Sequence, residues 1–210
     1  TGTTGGIAMF GELAVLALAA ALVQRGWWHK LVEMELRVPW LFLAALALQG
    51  VVALAAGASW LHYALGPTAE FVLISASYVG LILALFLNRM TPGFSLIALG
   101  VLLNLAVTAA NGGRMPVSPE ALRQAGLDEY LPILDAGAYG KHALGAVGSR
   151  FWFLADVIPL RPPYYPIRRV ISAGDIVITV GSLKFLWTVI MSHRRENIGV
   201  GGRPKVQGIL

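Results

Sequence analysis

Long apolar segments are the feature that most restricts how this chain can fold. A helix that crosses a bilayer needs about 20 mainly apolar residues. Five stretches approach that length, at residues 7–24, 38–56, 69–87, 94–110 and 170–191. Lipid offers backbone N–H and C=O groups no outside partner, so these segments are predicted to be helices, and none alternates as a barrel strand does. We therefore predict an all-α fold, an integral membrane helical bundle with about five transmembrane helices.

Composition and charge agree with a membrane protein. Of the 210 residues, 57% are hydrophobic and 13% are charged, whereas soluble domains carry about 25% charged residues. The net charge of +5 comes from cations that flank the apolar segments, which suits membrane topology and anionic lipid better than nucleic acid. We expect the lipid bilayer, and no nucleic acid, as a partner.

The basic residues also predict an orientation. Arginine and lysine occur in the connections at 25–37 and 88–93 and in the tail at 193–210, whereas the connection at 57–70 has neither. The positive-inside rule then places the N-terminus outside the bacterial cytoplasmic membrane and the C-terminus in the cytoplasm. This predicts a single bundle over residues 1–192, an external cap at 111–169 and a polar cytoplasmic tail at 193–210.

Residues 1–8, which are rich in glycine and threonine, are expected to be an extra N-terminal tail, either a tag remnant or native. We expect the cap to consist of short or interfacial helices. Ser118 is suited to be an N-cap, Pro119 to the first helical position and Gly126 to the C-terminal stop. Residues 149–160 are apolar but too short to cross the membrane, so an interfacial or re-entrant piece is expected.

Polar side chains inside or beside the last two apolar segments form the candidate site. Asn104, Thr108 and Asn111 lie four and three residues apart, a spacing that places them on one helix stripe. A similar stripe runs through the last segment. With nearby charged residues, the predicted polar cluster contains Asn104, Thr108, Asn111, Arg114, Asp156, Ser172, Asp175 and Thr179. Either these groups only bind helices together, at ~0.5–2 kcal/mol per contact, or they line a ligand pocket near the outer leaflet.

Two further expectations concern ions and cofactors. Arg114 has Asp156 or Asp175 as a candidate partner, since a buried carboxylate without one is costly. His62 and His142 are possible ligand histidines, although a lone histidine is more often an ordinary residue.

We predict no metal site and can name no cofactor. The chain has no cysteine, which excludes disulfides and thiol catalysis, and it has no HExxH, GxSxG or phosphate-loop motif.

Several segments resemble a family of small bacterial multipass membrane proteins that is known only as a conserved domain of unknown function. The resemblance rests on LGVLLNLAVTAANGGRMPVSPEALRQAG, FLADVIPL and RVISAGDIVITVG, and on WLFLAALALQ and NRMTPGFSLIALG in the earlier segments. It covers roughly residues 9–192, and NGGRMPVS and ISxGD are its most specific motifs. The resemblance implies a multipass helical fold and no particular activity. The matching positions in the polar cluster are Asn104, Asn111, Arg114, Asp156 and Asp175.

Three functional hypotheses follow. The first is a non-catalytic accessory or structural subunit of a larger membrane complex, whose tails and external cap contact other subunits. The alternative is a stand-alone carrier or binder of a small ligand that uses the polar cluster near the outer leaflet. The second alternative is a membrane-embedded enzyme that acts on a lipid-linked substrate, with Asp156, Asp175 and His142 as acid–base groups. The sequence favours a role without catalysis.

Overall fold

Four long helices dominate the part of the chain described by the computed structural model. That part comprises residues 34–57, 59–135, 142–145 and 148–200, with backbone only for 52–57, 59–65, 67, 70 and 193–200. The helices are α1 (Pro39–Gly57), α2 (Ser59–Leu87), α3 (Phe94–Ala110) and α6 (Ala173–Val200). The predicted segment at 7–24, the tail at 1–8 and residues 201–210 lie outside the described residues.

The ends of the helices follow local signals. Helix α1 begins at Pro39, where a missing N–H costs nothing in the first turn. Helix α2 is interrupted at Gly66, whose φ of 70° and ψ of 164° are not helical, and Pro67 follows. Only the part after this break corresponds to the predicted segment at 69–87. Helix α6 continues to Val200 and so extends into the region predicted as a polar tail.

Helices α3 and α6 form an antiparallel pair whose backbones approach closely at glycines. A methyl group on Gly100 would lie 2.5 Å from the carbonyl oxygen of Gly174, and one on Gly181 would lie 2.8 Å from that of Gly93. Gly93 and Gly100 are seven residues apart, as are Gly174 and Gly181. Seven residues are about two helical turns, so both glycines of each pair lie on the same side. Small residues of this kind allow helices to pack at short distance in a membrane.

The other long helices pack in chain order. Helix α1 contacts α2, and α2 contacts α3. A core between them contains Leu85, Phe94 and Val101, against which Phe42 and Phe185 also pack. The bundle has two ends. At the first end, the C-terminus of α2 lies near the N-termini of α1 and α3. At the second end, the C-terminal part of α3 lies near the N-terminus of α6.

The cap contains strands as well as short helices. It includes α4 (Pro119–Ala125) and α5 (Leu131–Asp135), with 3₁₀ turns at Asp128–Tyr130 and Trp152–Leu154. Strands β1 (Met115–Val117) and β2 (His142–Leu144) pair in parallel with Met115 opposite His142, and β3 (Ile158–Leu160) and β4 (Arg169–Ile171) pair antiparallel with Ile158 opposite Ile171. The interior of the cap contains Val117, Leu122 and Leu134.

The prediction of an all-α fold was thus too narrow, since the chain is mostly helical with some strands. Each strand is only three residues long, and β1 pairs with a segment far along the chain. Such pairing leaves no local period in the sequence. The predicted cap helix was confirmed: Ser118 is the N-cap, Pro119 follows it, and Gly126 adopts the left-handed conformation at the end.

Helix length supports the predicted bundle only in part. Among the described residues, one helical stretch, Ala173–Ser192, is long and apolar enough to cross a membrane. Its 20 residues correspond to about 30 Å of helix. Shorter apolar stretches occur at Pro39–Val51, Phe71–Leu87 and Phe94–Ala110. These helix lengths therefore do not establish five complete transmembrane spans.

Candidate functional site

Three residues of the polar cluster form one hydrogen-bonded network between α3 and α6. Asn104 donates from Nδ2 to Asp175 Oδ1 at 2.9 Å and accepts from Ser172 Oγ at Oδ1, also at 2.9 Å. Asn104 and Ser172 are buried. The amide of Asn104 therefore joins the second half of α3 to the first turn of α6.

The α6 side of this network is a capping box. Ser172 Oγ accepts from the backbone N–H of Asp175 at 3.0 Å, and Asp175 Oδ2 accepts from the backbone N–H of Ser172 at 3.1 Å. This reciprocal pair satisfies two N–H groups that a helix start leaves without partners. The carboxylate of Asp175 also lies in the first turn, where the helix dipole favours negative charge. The Ser-x-x-Asp spacing at 172–175 was the sequence signal for this role, and it was missed.

The two threonines of the cluster serve local contacts. Thr179 Oγ1 donates to the backbone carbonyl of Asp175 at 2.8 Å, one turn back on the same helix. Thr108 is buried, and its hydroxyl lies 3.9 Å from the sulfur of Met115. Neither contact presents a hydroxyl to an open site.

Asn111 fastens the cap to α3. Its Oδ1 accepts from the backbone N–H of Arg150 at 3.0 Å, and its Nδ2 donates to the Arg150 carbonyl at 2.8 Å. Nδ2 also donates to Val107 O at 2.8 Å, one turn back. The Asn111 side chain thus provides a partner for the Val107 carbonyl at the end of α3. It also binds both the backbone N–H and the backbone C=O of Arg150.

Asn88 repeats this arrangement at the opposite end of the bundle. Its Oδ1 accepts from the Arg37 N–H at 2.7 Å, and its Nδ2 donates to Arg37 O at 2.9 Å and to Ala84 O at 2.8 Å. Asn88 is buried. Sequence reasoning did not single it out, although it follows an apolar segment directly, as Asn111 does.

Asp156 and His142 come together inside the cap, separate from the network around Asp175. His142 Nε2 lies 3.6 Å from Asp156 Oδ2, with the side chains 18% and 9% exposed. Asp156 also extends the sheet, since its backbone N–H donates to Pro116 O and its carbonyl accepts from Ser118 N–H. The pair can form an ion pair when the imidazole is protonated, which would stabilise the junction of three cap segments.

The expected partners of Arg114 were not found. In the described part of the chain no ion pair joins it to Asp156 or Asp175; Asp175 is hydrogen bonded to Asn104, and Asp156 lies beside His142. His62 lies in the first part of α2, for which only the backbone is described. Within the described residues there is no group of three or more His, Cys, Asp or Glu side chains that could hold a metal ion.

A cleft of roughly 300 Å³ lies at the other end of the bundle, away from the polar cluster. Its lining comes from the residues before α1, the turn before α3 and the last described part of α6: Met34, Thr91, Pro92, Phe185, Thr188, Val189 and Ser192. No residue of the polar cluster lines this cleft. The lining is mainly apolar with a few hydroxyl groups, and a use of the cluster as a ligand pocket stays a prediction.

Comparison with known proteins identifies a matching family and a similar sequence. A model of a family of unknown function, DUF5317, matches residues 33–187, a range that includes both the NGGRMPVS and the ISxGD segments. An uncharacterized protein of Thermotoga maritima is 39% identical over 116 residues, which is 54% of this chain. The match covers 62% of that relative's length. No solved structure matches the chain.

Proposed function

The chain belongs to the DUF5317 family, and because that family has no known function we propose a role from the structure itself. We propose that the chain is a multipass protein of the bacterial cytoplasmic membrane with a structural, non-catalytic role, acting as an accessory subunit of a larger membrane complex. The observation that carries this proposal is the placement of polar groups inside and large apolar groups outside.

The outward faces of the helices support insertion into lipid. Large apolar side chains on all four long helices are exposed, among them Leu43, Val79, Leu102 and Val180. The side chains of Ser77, Asn104, Thr108 and Ser172 are instead buried. Water would favour the opposite arrangement, because exposed apolar surface is unfavourable there by roughly 25 cal/mol per Å². In hydrocarbon, polar groups are expected to face the interior of the bundle.

The hydrogen bonding of the polar cluster supports a role without chemistry. Asn104, Ser172 and Asp175 satisfy one another, and Asn111 is bonded to backbone groups at both ends of its amide. A general acid or base must have a reacting proton within reach, whereas these groups already serve helix ends. The carrier and enzyme hypotheses both need polar groups of this cluster to face a ligand.

The basic residues of the short connections support the predicted orientation, whereas the seven arginines and lysines of segment 111–169 oppose it. The rule applies poorly to long segments, so we give the short connections more weight. Arg37 and Arg89 lie at the end of the bundle where Asn88 clamps the entry to α1, and the cap lies at the opposite end of α3. Basic residues next to spanning helices favour the cytoplasmic side. The cap is therefore proposed to lie outside.

Single cysteines test the orientation directly, because the natural chain has none. Met90 and Tyr164 are 89% and 92% exposed and lie at the two proposed faces. A membrane-impermeant maleimide added to intact spheroplasts should label Tyr164→Cys and should label Met90→Cys only after lysis. Labelling of Met90→Cys from outside, with Tyr164→Cys protected, would overturn the orientation.

A stripe on α6 is the proposed contact for a neighbouring subunit. Ile176, Val180, Leu183 and Trp187 are all exposed, and their spacing of four, three and four residues places them on one face. A photoreactive residue at Val180 should give a discrete adduct with another protein in native membranes. The matched control is Val79, an exposed apolar residue on α2, which should give lipid adducts only.

The same experiment can refute the subunit role. Lipid adducts alone at both positions would leave a membrane protein without a partner on this face. An adduct between Val180 and residues 7–24 of the same chain would show that the stripe is covered internally. Either result would remove the argument for an accessory subunit while leaving membrane insertion intact.

A further inference from the structure

The cap presents three consecutive aromatic side chains to its surroundings. Phe151, Trp152 and Phe153, here called the aromatic turn, are 50%, 49% and 58% exposed. The next residue, Leu154, packs instead against the buried core of Val107, Met115 and Ala155. Because one side chain anchors the turn while its three predecessors point outward, the exposure is a property of the fold at this position.

The conformation of the turn is held in place by specific contacts. Phe151 has φ 56° and ψ 36°, a left-handed backbone that is unfavourable for a bulky side chain. Asn111 holds the preceding peptide of Arg150 through two hydrogen bonds, and the N–H of Leu154 donates to Phe151 O at 2.8 Å. Unfavourable backbone conformations that are held by their surroundings often mark functional positions.

The location of the turn identifies what it meets. The turn contacts both α3 and α6, at the level where α3 ends and α6 begins. Ile176, in the first part of α6, is exposed as well, so the aromatic surface continues the apolar surface of the helix pair. Tryptophan is enriched where hydrocarbon gives way to headgroups, and the exposed guanidinium of Arg150 can bind a phosphate oxygen there.

We propose that the aromatic turn is a lipid-binding element, which inserts into the headgroup region of the bilayer and holds the cap against the membrane surface. Its ligands are phospholipid headgroups together with the upper part of their acyl chains. This proposal rests on the proposed membrane insertion of α3 and α6.

The test uses the full chain in vesicles of phosphatidylcholine and phosphatidylglycerol. A single cysteine replaces Phe153, and it carries an environment-sensitive NBD label. The matched control is Asp128→Cys, at an exposed position in the polar surface of the same cap. A nitroxide lipid with its spin label near the headgroup should quench the Phe153→Cys label several-fold more than the control, and the emission at 153 should move to shorter wavelength.

Two results would overturn the proposal. Equal quenching at positions 153 and 128 would place the turn in water. Short-wavelength emission at 153 without quenching by the nitroxide lipid would show that another protein segment covers the turn. Trp152→Cys, labelled in the same way, gives a second reading in case Phe153→Cys does not fold.

A reference label distinguishes failure of the lipid-binding proposal from failure of the proposed membrane insertion on which it rests. A label at Leu102→Cys, an exposed position in the middle of α3 and outside the proposed subunit contact, should be quenched by a nitroxide deep in the acyl chains. If that label is not quenched, the membrane insertion of the α3–α6 pair is wrong as well. If it is quenched while the labels at 152 and 153 are not, only the lipid-binding role of the aromatic turn fails.

Discussion

Replacing Gly174 by alanine tests the close approach of α3 and α6. A Cβ at this position would collide with Oδ1 of Asn104 and would lie 2.7 Å from its Cγ. It would also lie 2.8 Å from the backbone carbonyl oxygen of Gly100. Rotating the amide away could relieve the first contact, but the second involves backbone, so the helices themselves would have to separate.

The expected change in stability combines one favourable effect with two unfavourable ones. Alanine favours a helix over glycine by roughly 0.5–1 kcal/mol. Overpacking costs about 1–3 kcal/mol, and displacing Asn104 removes its bonds to Ser172 and Asp175, worth about 0.6 kcal/mol each on average between membrane helices. The net expectation for Gly174→Ala is a loss of about 1–4 kcal/mol in the free energy of unfolding. The Tm should fall by about 2–4 °C per kcal/mol lost.

Gly50 provides the matched control. It lies within α1, and nothing is within 4 Å of the Cβ it would carry, so Gly50→Ala reports helix propensity alone. Thermal unfolding of both variants in a mild detergent, followed by far-UV circular dichroism, should show Gly50→Ala at or above the natural chain and Gly174→Ala below it. A Gly174→Ala variant as stable as Gly50→Ala would refute the interface.

Substitutions at three further positions test the side-chain hydrogen bonds at helix ends. Asn88→Ala removes three hydrogen bonds, so the free energy of unfolding should fall by about 1–3 kcal/mol, and proteolysis near Arg37 should become faster; unchanged cleavage would contradict the clamp. Asn111→Ala should accelerate hydrogen exchange at the Arg150 amide without changing α1, and uniform acceleration throughout would instead indicate global destabilisation. Ser118→Ala should cost ~1 kcal/mol as a lost N-cap, measured as faster exchange in α4, whereas Ser118→Asp should preserve the protection.

Local signals in the sequence were sufficient where a structure depends on neighbouring residues. The bounds of the short cap helix followed from Ser118, Pro119 and Gly126, because N-caps, first-turn prolines and left-handed C-terminal glycines act within a few residues. The stripe spacing also placed Asn104 and Asp175 on particular helix faces, and in the structure the two are hydrogen bonded. What the stripes could not indicate was that the serine at 172 would cap α6.

Features that depend on distant pairing could not be predicted from the sequence. The pairing of Met115 with His142 joins segments with no shared period, and the four glycines of the α3–α6 contact reveal their pairing only when the helices are brought together. The interruption at Gly66 belongs to a different class. The Gly-Pro pair at 66–67 marks a break and lies within the predicted connection at 57–70. The helical residues before Gly66 were not predicted.

The position of the cap between α3 and α6 has a consequence for how the chain could be altered. Asn104, which lies nearly two turns before the end of α3, is bonded to Ser172 and Asp175 in the first turn of α6. The intervening polypeptide therefore leaves and returns on the same side of the helix pair, at points offset by about 9 Å along the helix axis. In topological terms the cap is an insertion in a helical hairpin. Its entry and exit are close enough for a short linker to join them, so this portion could be removed, exchanged or enlarged while the hairpin beneath keeps its register.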